Sequence, residues 1–217
     1  MLLTGFESYG GRSLNPAEQV VKRLDGAEIR GVRVNGRTLP VDYQGLGPRI
    51  IRLIEEIQPR AVICLGLWPG TPMLRFERIA VNIADFEIPD NVGHMTRGPV
   101  VEGGAEAYAS TLPIHAIQDR LLEAGIPARP SASAGTFLCN ALMYHALGAS
   151  VGRMPAAPCG FIHLPYMPEQ VSMLLLQMRE SVKVELHQRA DLASMALEIQ
   201  IEAIRIAIET TLDATSS

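Results

Sequence analysis

With 217 residues, the chain is long enough for one domain with a sizeable buried core. Its formal net charge of −4 is small, and Lys and Arg are scattered, so neither nucleic acid nor an anionic membrane surface is an expected partner. No apolar run is long enough to span a bilayer, and the first residues do not form a secretory signal. We therefore expect a single domain over residues 1–213, a frayed tail at 214–217 and a cytoplasmic location.

The cysteines favour a reducing compartment. Cys64, Cys139 and Cys159 are an odd count without a C-x-x-C pair, which disfavours both a disulfide framework and a zinc knuckle. The chain also lacks an H-E-x-x-H motif and a cluster of Cys and His residues. Neither a metal nor a cofactor is expected.

The chain begins with a short apolar strand at residues 2–4, followed by a glycine-rich loop that carries Phe6 and Tyr9. Asn15 and Pro16 then favour the start of a helix, because Asn is a good N-cap and Pro suits the first helical position. The loop contains neither G-x-x-x-x-G-K-[ST] nor G-x-G-x-x-G, so a nucleotide site is not predicted there.

Hydrophobic periodicity predicts further strands and helices along the chain. A continuous apolar run at residues 61–66 is typical of a central parallel strand, and the loop that begins at Leu67 lies where α/β sheets place ligand contacts. The other predicted elements are a strand over 32–41, a helix over 46–57, a helix over 105–124 that Pro113 must break or kink, a strand over 126–133, and helices over 169–188 and 192–212. The last helix carries a wide apolar stripe, which suits packing across the sheet or a subunit contact.

Residues 74–85 alternate with period two, which predicts a strand. On this pattern Glu77 shares a face with Ile79, Val81 and Ile83. A carboxylate is costly to bury on an apolar face without a partner, so Glu77 is a candidate for a specific role. Exposure at a strand end is the alternative.

The stretch from 131 to 147 joins a turn of small residues to an apolar helix. Gly135 can bend the backbone tightly and Thr136 can cap the helix after it, and helical spacing from Leu138 places Cys139 in the first turn. Unpaired N–H groups and the helix dipole favour a thiolate at that position. A small thiol packed under a helix is the alternative, since free cysteine is often buried.

A short apolar strand starts at Cys159, ends in His163 and is stopped by Pro165. One helix and one return to the sheet separate Cys139 from His163, which brings both side chains to the carboxyl edge of the sheet. Thiolate and imidazole are the minimum for acyl transfer, because histidine can ionise the thiol and later protonate the leaving amine. The other histidines lie in predicted helices, a loop and a charged segment, and their positions do not indicate catalysis.

In the order and spacing of several blocks, the chain resembles the pyrrolidone-carboxylate peptidases (pyroglutamyl peptidase I), a family of cysteine exopeptidases. The blocks cover nearly the whole chain and are Thr4–Gly11, Asn15–Pro16, Phe76–Asn82, Ile88–Asn91, Tyr108–Pro113, Gly125–Ala128, Ala134–Asn140 and Gly160–Gln170. The resemblance implies a three-layer α/β/α sandwich around a mainly parallel twisted sheet, assembled as a homodimer or homotetramer. It also implies removal of an N-terminal pyroglutamyl residue from peptides through a thioester acyl-enzyme.

The family motifs imply roles for individual side chains. The nucleophile falls on Cys139 and the family histidine on His163, while the family glutamate falls on Glu77 and would orient the imidazole as the third member of a triad. The substrate-binding residues that the resemblance implies, an aromatic clamp on the flat pyroglutamyl ring, are Phe6, Tyr9 and Phe137.

Three places depart from the family pattern. Ala132 stands where asparagine is usual, Glu87 stands where arginine is usual, and a different loop comes after the strand that ends at residue 66, with Leu67 as a further substrate-binding candidate. An acidic side chain near a developing oxyanion would raise its energy. Two alternatives therefore stay open. The first is a thiol hydrolase in which the altered pocket residues Leu67, Ala132 and Glu87 select a different small N-acyl or lactam group. The second is a weakly active homologue that binds peptide N-termini.

Overall fold

The computed structural model describes residues 1–151, 157–180 and 192–215. Within these ranges the strands are Leu2–Phe6 (β1), Glu28–Ile29 (β2), Val32–Arg33 (β3), Asn35–Leu39 (β4), Val62–Leu67 (β5), Leu74–Glu77 (β6), Ile79–Val81 (β7), Ala84–Asp85 (β8), Arg97–Gly98 (β9), Ala107–Ala109 (β10), Ala128–Ser131 (β11) and Cys159–Leu164 (β12). The helices are Pro16–Leu24 (α1), Tyr43–Ile57 (α2), Ile114–Glu123 (α3), Leu138–Ser150 (α4), Pro168–Glu180 (α5) and Leu197–Ala214 (α6).

A six-stranded sheet in the order β11-β6-β12-β5-β1-β4 forms the middle layer. The strands β4, β1, β5 and β12 run parallel to one another. Strand β6 pairs antiparallel with β12 and parallel with β11, so the direction of the sheet reverses once. The mainly parallel sheet is confirmed, with this one reversal.

Helices cover an apolar core on each face of the sheet. On one face α1, α3 and α6 cover a core that contains Leu3 and Ile63, and on the other α2 and α4 cover a core that contains Leu2 and Val62. Neighbouring residues of one strand thus enter opposite cores, as the two-residue period of a strand requires. The predicted three-layer α/β/α sandwich is confirmed.

Asn15 and Gly5 determine how the first helix meets the first strand. Asn15 caps α1 as predicted, since its side chain accepts a hydrogen bond from the N–H of Ala17 at 3.0 Å, and its amide donates to the carbonyl of Glu7 at 2.9 Å. Gly5 permits close approach of the two backbones, because a Cβ there would lie 2.5 Å from the carbonyl oxygen of Ala17.

Two predicted elements are wrong in their extent. Residues 105–112 are not the first half of a helix, because Ala107–Ala109 pairs antiparallel with β7 and a helix cannot continue through Pro113 undisturbed. The single strand predicted over 74–85 is three short strands. The chain leaves the main sheet after Glu77, and β7 pairs with β10 instead.

The boundaries of the last helices also differ from the prediction. α5 is described from Pro168 to Glu180, and the rest of the helix predicted to residue 188 lies outside the described residues. α6 begins at Leu197 rather than 192, since the preceding segment runs beside Tyr166, which forms a parallel bridge with Ser194. None of the helices in the described ranges has both the length and the apolar character needed to cross a membrane.

Gly5→Ala is expected to lower the free energy of unfolding by about 1–3 kcal/mol, because the added methyl group meets backbone rather than a movable side chain. Urea denaturation followed by circular dichroism measures the change. Thr38→Ala is the matched control, since Thr38 is the register partner of Gly5 on β4 and is exposed. It should change stability by no more than about 0.5 kcal/mol. Equal effects of the two substitutions would contradict the close approach at Gly5.

Candidate active site

Cys139 lies in the first turn of α4, where the helical spacing predicts it. Thr136 does not cap the helix as expected, because its Oγ1 donates to the carbonyl of Asp85 at 2.9 Å. The N-cap residue is Phe137, which makes no side-chain capping bond, so the first N–H groups of the helix have no side-chain acceptor there. The next residue, Asn140, is buried and fixes the helix to β7. Its side chain accepts from the N–H of Val81 at 2.9 Å and donates to the carbonyls of Val81 and Ile83 at 2.8 and 2.9 Å. The position of the thiol is therefore set by an adjacent buried amide.

His163 and Glu77 meet in the interior of the sheet. The antiparallel pairing places His163 opposite Arg75 and Phe161 opposite Glu77, so Glu77 lies diagonally across from the imidazole. Glu77 Oε1 is 2.8 Å from His163 Nδ1, and both side chains are buried. The imidazole is thus the partner that a buried carboxylate at Glu77 requires. The alternative, that Glu77 is exposed at a strand end, is wrong.

Burial keeps the candidate base and nucleophile neutral at rest, so the thiolate expected from the helix start is not the resting form of Cys139. Burial lowers the pKa of His163 below its ordinary value, with Glu77 opposing the shift and Arg75 adding to it. Burial also raises the pKa of the Cys139 thiol to about 12, with smaller contributions from Glu77 and Cys64. A neutral imidazole beside a protonated thiol can accept its proton when a substrate carbonyl is attacked.

A cavity of about 420 Å³ opens beside Cys139 and His163. Its wall contains all the substrate-binding candidates, which are Phe6, Tyr9, Phe137 and Leu67. The rings of Tyr9 and Phe137 are tilted, with centroids 6.3 Å apart. Burial raises the pKa of Tyr9 to about 12, with a further contribution from Cys139, so the tyrosine keeps its proton and offers a hydrogen-bond donor. The wall is therefore aromatic with a small number of polar groups, as in most sites for small molecules.

Two of the three departing positions lie in the wall of this cavity. Leu67 is buried there and Glu87 is exposed. Ala132, expected to alter the pocket with them, is exposed on the turn before α4 and is not a wall residue. That expectation is wrong, because the small-residue turn bends the chain so that Ala134, and not Ala132, reaches the cavity.

Two residues beside the imidazole, Trp68 and Arg75, are absent from the sequence-based prediction of the site. Trp68 meets His163 edge to face, with ring centroids 4.9 Å apart, and the guanidinium carbon of Arg75 lies 3.8 Å from the centroid of the Trp68 ring. Arg75 Nε is also 3.3 Å from Glu77 Oε1. The two-residue period of the strand places Arg75 and Glu77 on one face, and that signal could have identified the arginine.

A thiol in the first turn of a helix, a buried imidazole–carboxylate pair and an aromatic cavity beside them are the parts that a cysteine hydrolase of α/β fold needs. The arrangement suits acyl transfer, since a thiol, a base and main-chain hydrogen-bond donors all border one cavity.

Comparison with known proteins identifies the family. The family model of the pyroglutamyl peptidases matches residues 1–214. Pyrrolidone-carboxylate peptidase of Pyrococcus furiosus is 42% identical over 214 residues, which cover 98% of each chain. Pyrrolidone-carboxylate peptidase 2 of Photorhabdus laumondii is 38% identical, over 98% of this chain and 91% of its own. A solved structure of a mutant pyrrolidone carboxyl peptidase from Pyrococcus furiosus has a TM-score of 0.90 at 40% identity and covers 99% of this chain and 98% of its own. The chain belongs to the pyroglutamyl peptidase family.

Glu77→Gln is expected to lower the free energy of unfolding by about 3–5 kcal/mol, because it leaves the largely buried guanidinium of Arg75 without its counter-charge. Urea denaturation of the variant and the unmodified protein measures the loss. Glu198→Gln is the matched control, since the Glu198–Arg23 ion pair joins two exposed side chains and should contribute about 0–1 kcal/mol. A loss at Glu77 no larger than the control's would show that the buried charges are not coupled.

Proposed function

We propose that the protein removes an N-terminal pyroglutamyl residue from peptides, with Cys139 as nucleophile, His163 as general base and acid, and Glu77 as the group that orients the imidazole. The observation that carries this proposal is the 2.8 Å contact between Glu77 and His163 beside a cavity that Cys139 also lines. Membership in the pyroglutamyl peptidase family supports the substrate class.

The proposed reaction begins when His163 Nε2 takes the proton of Cys139 as Sγ attacks the carbonyl carbon that links the pyroglutamyl residue to the peptide. Glu77 engages Nδ1, which leaves Nε2 as the basic nitrogen. The imidazolium then protonates the leaving amine, and the C–N bond breaks to leave a thioester on Cys139. A water molecule, deprotonated by His163, hydrolyses the thioester and releases pyroglutamate and the free thiol.

Main-chain N–H groups in the first turn of α4 are the proposed donors to the oxyanion. They lie beside Cys139 and receive no side-chain cap from Phe137, so they are available to a negative oxygen. Two carboxylates, Asp85 and Glu87, also line the wall, and an ionised carboxylate has no hydrogen to donate. The helix start is therefore the better source of stabilisation.

The wall of the cavity suits a flat, uncharged ring. We propose that Phe6, Tyr9 and Phe137 clamp the pyroglutamyl lactam and that Leu67 adds apolar surface. A neutral lactam loses less hydration than a charged amino terminus when it enters such a wall. None of the wall residues in the described part of the chain is Lys or Arg, and a substrate without negative charge requires neither.

A different small N-acyl or lactam group is the second candidate substrate, because Leu67 and Glu87 both line the cavity and depart from the family pattern. Cleavage of a panel of lactam and aminoacyl amides, measured side by side, separates the two candidates. A preference for pyroglutamyl amide supports the first, and a preference for another acyl group supports the second.

We also propose a cytoplasmic location and a homodimeric or homotetrameric assembly. The described cysteines are unpaired, and a reducing compartment keeps a nucleophilic thiol in that state. Exposed apolar side chains on α5, including Met173 and Leu176, provide surface that a second copy could cover. Light scattering of the purified protein gives the assembly state.

Cys139→Ala is expected to reduce cleavage of a pyroglutamyl amide by at least about 10³-fold while leaving the fold intact, because the thiol forms the covalent intermediate. Hydrolysis of a chromogenic pyroglutamyl amide and a circular dichroism spectrum measure the two quantities. Cys159→Ala is the matched control, since that thiol is buried and does not line the cavity. Undiminished turnover in the folded Cys139 variant would refute the proposal, and peptide binding without turnover in the unmodified protein would favour a binding homologue.

The acid limb of kcat/KM is expected below the ordinary histidine pKa of about 6.5, because burial lowers the pKa of His163. Protonation removes the base, so activity falls as the pH falls through this pKa, and a lowered pKa moves the fall to more acidic pH. A pH profile of kcat/KM for a pyroglutamyl amide measures it. An acid limb at higher pH would contradict a neutral resting imidazole.

A further inference from the structure

We propose that Arg75 and Trp68 are positioning residues, which hold Glu77 in place against His163 and keep the imidazole in its neutral, proton-accepting form. The inference rests on the proposed function of His163 as general base. Trp68 lines the cavity, whereas Arg75 does not, so Arg75 acts through its neighbours and not by touching substrate.

Contacts on several sides fix the guanidinium of Arg75. Its Nη2 donates to Ser131 Oγ at 2.7 Å and to the carbonyl oxygen of Ser133 at 3.1 Å. Its Nε lies 3.3 Å from Glu77 Oε1, an ion pair without a hydrogen bond, and its central carbon lies 3.8 Å from the centroid of the Trp68 ring. Because a guanidinium is a rigid planar fork, hydrogen bonds at one end and contacts with Glu77 and Trp68 together restrict its orientation.

The carboxylate of Glu77 depends on that fixed cation. One oxygen, Oε1, contacts both His163 Nδ1 and Arg75 Nε. The other, Oε2, is buried and has no hydrogen-bond partner among the described residues. A carboxylate engaged through one oxygen can rotate, and rotation would break the contact that holds the imidazole. Arg75 opposes the rotation because it is itself held by Ser131 and Trp68.

The positive charge of Arg75 also offsets the effect of the Glu77 carboxylate on the protonation of His163. His163 stands directly opposite Arg75 in the antiparallel pair, so an imidazolium would face a like charge. The charged groups that act on His163 are Glu77 and Arg75 on β6. Cys139 on α4 lines the same cavity as the imidazole, and Cys64 on β5 lies near its thiol. Glu77 favours the protonated imidazole and Arg75 opposes it. The histidine is thereby oriented by a carboxylate and still remains a free base.

Trp68 occupies the space between these groups. Its ring is inclined at 77° to the His163 ring, with centroids 4.9 Å apart, and lies 3.8 Å from the guanidinium carbon of Arg75. The turn before Cys139 also reaches it, because a Cβ at Gly135 would lie 3.5 Å from the indole. A cation over an indole is held more strongly where water is excluded, so Trp68 shields the Arg75–Glu77 pair on the cavity side.

The test compares Arg75→Gln with Arg75→Lys by full pH profiles of pyroglutamyl amide cleavage. Arg75→Gln removes the charge, so kcat should fall by roughly 10- to 100-fold and the acid limb of kcat/KM should move to higher pH. Arg75→Lys keeps the charge but lacks the planar fork, so the acid limb should stay near that of the unmodified enzyme while kcat recovers only in part. Arg129→Gln is the matched control, since Arg129 is the register partner of Arg75 on β11 and is exposed.

A purely structural role for Arg75 predicts a different result. It would lower the melting temperature of Arg75→Gln without moving the acid limb or kcat of the folded fraction, and that result would overturn the inference. If Arg75→Gln does not fold, an Arg75→Lys enzyme with unchanged kcat would overturn it as well. If the unmodified protein cleaves no pyroglutamyl amide, the proposed function fails. NMR titration of His163 in each variant still tests the positioning role of Arg75. An equal His163 pKa in Arg75→Gln and the unmodified protein would overturn the inference.

Discussion

The buried contact between Glu77 and His163 is the constraint on which the rest of the site depends, because neither group is stable in the sheet interior without a partner. The sheet satisfies it by reversing direction between β12 and β6, which brings the two side chains diagonally together. A fully parallel sheet would need another register to join the same residues. The single reversal in the strand order is thus the structural basis of the imidazole–carboxylate pair.

The candidate nucleophile Cys139 lies near this pair because the start of α4 is held against the sheet. Asn140 bonds to β7, and the thiol of Cys139 sits over Gly66 at the end of β5, where a Cβ would lie 2.8 Å from Sγ. Any larger residue at 66 would push the thiol or Phe161 away. The helix start and Gly66 therefore place the thiol, and the strand reversal places the imidazole–carboxylate pair.

Local chemistry in the sequence predicts those parts of the site that depend on near neighbours. The cap at Asn15 and the first-turn position of Cys139 follow from residues a few positions away, and the unusual carboxylate at Glu77 follows from a two-residue period. Such local patterns do not predict which distant segments of the chain pair with each other. Residues 105–112 pattern as a helix yet contain β10, because β7 is available to pair with them, and Trp68 sits in a loop whose contact with His163 depends on the whole sheet. Only the family resemblance indicates the aromatic wall, since nothing in local periodicity marks Phe6, Tyr9 and Phe137 as one surface.

The central claim is that Cys139 carries the acyl group, while His163 transfers the proton and Glu77 orients the imidazole. Rapid acid quench during turnover of a pyroglutamyl amide, followed by intact-mass and peptide mass spectrometry, tests it most directly. We expect a transient mass increase of one pyroglutamyl group, located on the peptide that contains Cys139. Turnover with the acyl group on another residue, or continued turnover after Cys139 has been fully alkylated, would contradict it.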